Sequence, residues 1–179
     1  MTIFLAGGSR SGKSSLGQSL AVRLAAGGAL YYVATMRPCD EEDRRRIRRH
    51  VADRAGLGFE TVECPRGILS CLEGAEVRGS FLIDSVTALL TNEMFPPGGE
   101  MDLTAPERCA EELCALAERA GNAVFVSDCI FSDAALYDEG TEAFRRGLGL
   151  IGRRLAAKCD AAAEVCAGIP IFYKGGLPA

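Results

Sequence analysis

The chain has 179 residues, 48% of them hydrophobic and 25% charged, and a net charge of −4. That length favours a single domain, 1–179, with a sizeable core, and the acidic balance argues against a nucleic-acid partner. No apolar run approaches the ~18 residues of a membrane span, and the opening residues enter a strand at once, which argues against a cleavable signal and for a cytoplasmic protein. Ile3-Phe4-Leu5-Ala6 reads as a buried strand. Gly7-Gly8-Ser9-Arg10-Ser11-Gly12-Lys13-Ser14 follows directly and fills every position of G-x-x-x-x-G-K-S. The spacing of Leu16, Leu20, Val22 and Leu24 predicts a helix from Ser15 to Ala26, stopped by Gly27-Gly28. Leu30 to Ala34 reads as the second strand, ending in Thr35. Asp40 to Arg54 reads as a charged helix capped by Asp40, with Glu41, Glu42 and Asp43 in a first turn where the dipole favours acid.

Phe59 to Glu63 alternates as a short strand, and Pro65 to Leu72 reads as a short helix. Ser80-Phe81-Leu82-Ile83 is a core strand closing on Asp84, and Val86 to Met94 continues as helix. Phe95 to Asp102, with Pro96-Pro97-Gly98-Gly99, is a surface loop; Thr104 to Ala120 is amphipathic and helical. Ala123 to Val126 is a strand ending at Ser127-Asp128. Asp138 to Ala157 reads as helix with a bend near Gly147 or Gly149, and Ala163 to Ala167 and Ile169 to Tyr173 close the sheet. Strands alternating with helices predict an α/β fold, a mostly parallel sheet with helices on both faces. The eight cysteines form no C-x-x-C pair and read mostly as small buried hydrophobes in a reducing compartment; Cys166 falls in an apolar strand, Cys114 and Cys159 in helical patterns.

Ligands of such sheets gather at the carboxyl ends of the strands, here Ala6, Thr35, Asp84 and Asp128. In the glycine-rich loop, consecutive N–H groups can turn onto phosphate oxygens, and the new helix adds its positive end. Lys13 is expected to reach the β- and γ-phosphates and the Ser14 hydroxyl to ligate Mg²⁺, so a nucleoside triphosphate is the expected ligand. Asp84, taken with Lys13 and Ser14, suits the second Mg²⁺-linked carboxylate; the alternative is a helix N-cap for Val86 onward. Arg44, Arg45, Arg46, Arg48, Arg49 and Arg54 surround His50, the sole histidine of the chain. Arg46, His50 and Arg54 follow one helical face. Guanidinium groups beside an imidazole favour its neutral form, and a neutral ring nitrogen can attack phosphorus. The same stretch also reads as a solvated basic helix or a nucleic-acid contact.

The phosphate loop, Tyr32-Val33-Ala34-Thr35, Arg46-Ile47-Arg48-Arg49-His50 with Arg54, and Thr61-Val62-Glu63 form a pattern that spans the chain. Leu82-Ile83-Asp84-Ser85-Val86-Thr87, Leu90-Thr91-Asn92, Phe144-Arg145 and Ala167-Gly168-Ile169-Pro170 continue it. In these motifs the sequence resembles the bifunctional adenosylcobinamide kinase/adenosylcobinamide-phosphate guanylyltransferase family of cobalamin biosynthesis. The resemblance implies a RecA-like P-loop domain that assembles as a homotrimer. It implies that the enzyme phosphorylates the hydroxyl of adenosylcobinamide with ATP or GTP. His50 would then attack the α-phosphate of GTP and pass GMP to adenosylcobinamide phosphate, with Lys13 and Asp84 as its catalytic companions. It implies nucleotide contacts at Gly7, Gly8, Ser9, Arg10, Ser11, Gly12, Lys13, Ser14, Ala34, Thr35, Met36, Ala52, Asp53, Arg54, Ala55, Glu63 and Asp84, and Mg²⁺ at Ser14 and Asp84. The pattern departs where the family has N-E-V-G-x-G and this chain has Asp128-Cys129-Ile130-Phe131-Ser132-Asp133, and where a family proline is Ala55. The first departure predicts transfer that is slower or directed to a variant corrinoid, and leaves Asp128 to serve the metal or an acceptor hydroxyl. Two other readings stay open: a different small-molecule kinase with an idle His50, and a nucleotide-binding module without turnover.

Overall fold

A computed structural model describes residues 1–38, 40–130 and 135–178; Cys39, Phe131 to Ala134, Ala179, and the side chains of Asp43, Arg46, His50 and Asp53 lie outside the described residues. The strand Thr2–Gly7 (β1) pairs in parallel with Asn122–Asp128 (β5) on one side and Ala161–Cys166 (β6) on the other. Past β5 the sheet continues in parallel through Ser80–Asp84 (β4), Leu30–Ala34 (β2) and Glu60–Glu63 (β3). Ile169–Lys174 (β7) joins β6 antiparallel at the opposite edge, giving the order β3-β2-β4-β5-β1-β6-β7. The middle strands read as unbroken apolar runs because both their faces are covered. Ile3, Leu5, Phe81, Leu82, Ile83 and Phe125 are fully buried, each worth about 1.5–3 kcal/mol in area removed from water.

The helix Lys13–Ala25 (α1) covers one face, packing Leu20 and Ala21 with Ile3, Leu5, Leu82 and Val124. The second helix, Glu41–Asp53 (α2), is rich in charge; its only apolar side chains larger than alanine are Ile47 and Val51, one turn apart. The other face takes Val86–Met94 (α3), Ala105–Arg119 (α4) and Glu139–Lys158 (α5), which bury Leu89, Leu113 and Ile151 against Phe81 and Phe125. Among the described residues no helix is long and apolar enough to cross a membrane.

Two local expectations are corrected. The short helix expected from Pro65 is a 3-10 turn over Ile68–Leu72. The helix α5 runs unbroken through both glycines. Gly147 is there for close packing, since a Cβ on it would meet Pro106 of α4 at 2.7 Å. Arg54 is the first residue past α2, and its alignment with Arg46 and His50 rests on side chains outside the described residues. Of the described cysteines, Cys64, Cys71, Cys109 and Cys159 are buried, and burial pushes the last three thiols up to about 12; Cys114 and Cys129 are half-buried, and Cys166 is exposed near the tip of the β6–β7 hairpin.

Candidate active site

The carboxyl end of β1 feeds the glycine-rich loop, and the loop is held from below. A Cβ at Gly7 would lie 2.6 Å from the Val165 carbonyl oxygen, so only glycine fits against β6. Gly12 takes φ +93°, a left-handed angle that side chains resist, and caps the start of α1. The N–H of Gly168, in the β6–β7 turn, donates to the Ser11 carbonyl at 2.8 Å and ties that hairpin to the loop. No side chain caps α1 and no acid sits within its first turn, so the N–H groups at its start are left to face the loop. The buried Lys13 donates to the Gly8 carbonyl at 3.0 Å and pairs with Asp128 at 2.7 Å.

Asp84 ends β4 without serving as a cap, because the Ser85 hydroxyl takes that place, accepting from the Ala88 N–H at 3.2 Å. The Asp84 carboxylate accepts instead from the Ser14 hydroxyl at 3.4 Å and from the Tyr32 hydroxyl at 3.1 Å. The Tyr32 ring carries the guanidinium of Arg54 on its face, 3.9 Å from the centroid, and Arg54 also donates to the Thr61 hydroxyl. Thr35 is fully buried and structural in geometry: its hydroxyl donates to the Ser85 carbonyl at 2.7 Å and accepts from the Ser85 N–H. Asn92 of α3 donates to the carbonyls of Thr35 and Pro65, pinning α3 to the ends of β2 and β3.

Two cavities meet at these residues. One, of about 820 Å³, is lined by Ser9 to Ser15 of the loop together with Asp40, Glu42, Arg45 and Arg49. The other, of about 810 Å³, lies over β2, β3 and β4 and is lined by Ala34, Met36, Arg54, Glu63, Asp84, Thr87 and Asp128 among others. Lys13 and Ser14 face the first cavity; their partners Asp128 and Asp84 face the second. The two contacts therefore form the partition between the cavities. The helix α2 borders both, with Arg45 and Arg49 in the wall of the first and Ile47 and Val51 in that of the second. His50 stands in α2 between Arg49 and Val51, but its side chain, like those of Arg46 and Asp53, lies outside the described residues. Ala52 and Ala55 line neither cavity. Tyr32 is the site residue to which sequence reasoning gave no role; Asp128 it placed at the site, for the metal or an acceptor hydroxyl, but without its partner Lys13. Tyr32 looked like core because it sits inside an apolar strand; Asp128 carried one signal, its place at a strand end.

The sequence model of the cobinamide kinase/cobinamide phosphate guanyltransferase family matches residues 3–172. The chain belongs to this family. It is 30% identical over 180 residues to the bifunctional adenosylcobalamin biosynthesis protein CobP of Pseudomonas aeruginosa, covering 98% of each chain. It is 30% identical over 186 residues to the bifunctional adenosylcobalamin biosynthesis protein CobU of Salmonella typhimurium, covering 97% of this chain and all of that one. Cobinamide kinase/guanyltransferase family members are transferases, and the phosphate loop of this chain fits that class. Among solved structures, the chain resembles an isolated ATPase domain at a TM-score of 0.52 and 10% identity, covering 91% of this chain and 68% of that one. It resembles an ATPase of the type III secretion system of pathogenic bacteria at 0.53 and 16%, covering 91% and 50%. These likenesses show the fold, a RecA-like P-loop sheet.

Proposed function

We propose that this family member phosphorylates adenosylcobinamide with ATP or GTP and then moves GMP from GTP to adenosylcobinamide phosphate through a GMP-histidine at His50. The observation that carries the reading is the partition: phosphate-binding groups on one side, carboxylates and a second cavity on the other, in contact through Lys13–Asp128 and Ser14–Asp84. The loop N–H groups of residues 7–14 and Lys13 hold the triphosphate. Arg45 and Arg49 face the same cavity from the helix that carries His50, which supports a phosphate group reaching that residue. Ala34, Met36, Arg54 and Glu63 line the cavity at the ends of β2 and β3 and serve the remainder of the nucleotide.

A hydroxyl and a carboxylate, as offered by Ser14 and Asp84, are the hard oxygen donors that suit Mg²⁺, completed by phosphate oxygens rather than by further acids. When bound, Mg²⁺ supplies neutralisation of the phosphate charge. The chain works as one unit, 1–179, in the cytoplasm, where its free thiols stay reduced. Exposed Ile169, Ile171 and Tyr173 on the edge strand β7 support association with another surface, and the homotrimer is what the family resemblance implies.

Incubation with α-labelled or γ-labelled GTP, followed by denaturing separation, tests the reading. Label is expected on the protein from the α position only, stable in alkali, lost in acid and absent from His50→Ala. Label that persists on His50→Ala places the nucleophile elsewhere. Failure to move the γ-phosphate to adenosylcobinamide rejects the kinase half and leaves a different kinase or a binding module.

A further inference from the structure

We infer that Asp128 is the catalytic base of the phosphoryl-transfer step, accepting the proton of the acceptor hydroxyl. The inference rests on the kinase half of the proposed function. The strand β5 is inserted between β1 and β4, so its carboxyl end emerges between the phosphate loop and Asp84. Two backbone contacts fix that end: the Asp128 N–H donates to the Thr87 hydroxyl at 2.8 Å, and the Cys129 N–H donates to the Gly7 carbonyl at 3.0 Å. The Asp128 carboxylate then lies 2.7 Å from the Lys13 ammonium.

Lys13 faces the phosphate-loop cavity and Asp128 the other. A carboxylate in contact with the lysine that holds the transferring phosphate, and open to the second cavity beside that contact, stands where an in-line nucleophile can arrive. The neighbouring carboxylate is already engaged, since Ser14 and Tyr32 both donate to Asp84. The two acids thus divide the work: Asp84 stays with the Ser14 hydroxyl, and Asp128, whose side-chain partner among the described residues is Lys13, offers its other oxygen to an incoming O–H. In the step, the acceptor oxygen bonds to the γ-phosphorus as its proton passes to the Asp128 carboxylate. The bond from that phosphorus to the β–γ bridging oxygen breaks, and the nucleoside diphosphate leaves with that oxygen. Asp128 then releases the proton to water.

The rival account is that Asp128 only parks Lys13 in position, and the two accounts predict opposite signs for nucleotide binding. Asp128→Asn keeps the shape and removes the base. As a base, its loss lowers kcat for phosphorylation of adenosylcobinamide by about 10²-fold or more. Binding of a non-hydrolysable GTP analogue tightens, by about two- to fivefold, because Lys13 no longer leaves a carboxylate to meet the phosphates. A kcat within about threefold of the unmodified chain overturns the proposal. So does weakened analogue binding in a variant whose circular dichroism is unchanged, since that is the signature of lost lysine positioning. A variant that fails to fold is replaced by Asp128→Ser, read by the same two measurements. If the unmodified chain itself transfers no γ-phosphate to adenosylcobinamide, the proposed function fails first, and that result is read before any variant is made.

Discussion

The guanidinium of Arg54 rests 3.9 Å from the centre of the Tyr32 ring, whose own hydroxyl donates to Asp84 at 3.1 Å. One aromatic side chain therefore joins the residue just past α2 to the carboxylate at the end of β4. A group that draws Arg54 away, or a cation that draws Asp84 away, acts on the same ring.

Tyr32→Phe keeps the ring under Arg54 and deletes the donor to Asp84. An outer partner that orients a metal-binding carboxylate typically matters by about 10–100-fold in metal affinity. The Mg²⁺ concentration for half-maximal kinase activity is expected to rise about tenfold in this variant. A Mg²⁺ titration that superimposes on that of the unmodified chain removes Tyr32 from any role at the metal.

Lys13→Ala removes the buried ammonium that links the two cavities. Loss of one preorganised donor to a developing charge costs about 10²–10³ in rate, so triphosphate consumption should fall by that factor with the circular dichroism spectrum intact. Turnover that survives this change would disprove the phosphate-loop assignment.

Glu93 supplies a prediction about acid stability away from the site. Burial pushes its carboxyl up, but the Gly67 N–H at 2.7 Å, Arg66 and Arg108 outweigh that and hold it below its usual range. A group lowered on folding stabilises the native state above its unfolded value, about 4.3, and that contribution is lost as pH falls further. The unmodified chain should lose stability between about pH 5 and pH 3, and Glu93→Gln should flatten that limb while costing about 1–3 kcal/mol at neutral pH. Urea midpoints measured across that range decide it; an unchanged acid slope in the variant assigns the loss to other carboxylates.

Gly147→Ala should lower the melting temperature although alanine favours helix by about 1 kcal/mol over glycine. The new methyl would meet Pro106 at 2.7 Å, and overpacking of that kind costs about 1–3 kcal/mol. A higher melting temperature would show that α4 moves aside cheaply.

Much of the fold was legible because its signals are local. The strand–loop–helix unit around Gly7 to Ser14, the apolar runs ending at Thr35, Asp84 and Asp128, and the charged helix before His50 all follow from residue spacing within a dozen positions. The family, too, is written in such short motifs. What the spacing missed depended on packing. Gly147 read as a bend because glycine weakens a helix, whereas the neighbour Pro106 comes from another helix and no local pattern announces it.

The sequence by itself determined that a phosphate loop follows β1, that Lys13 and Ser14 stand at its end, and that Asp84 and Asp128 close apolar strands. Only the tertiary structure decided which strand lies beside which. Placing β5 between β1 and β4 brings Asp128 to Lys13 and leaves Asp84 to Ser14 and Tyr32. Strand order is set by how helices of given length and face can cross the sheet and bury their apolar sides, a property of the whole chain that no single segment carries. Residues distant in sequence become partners only when that order is settled.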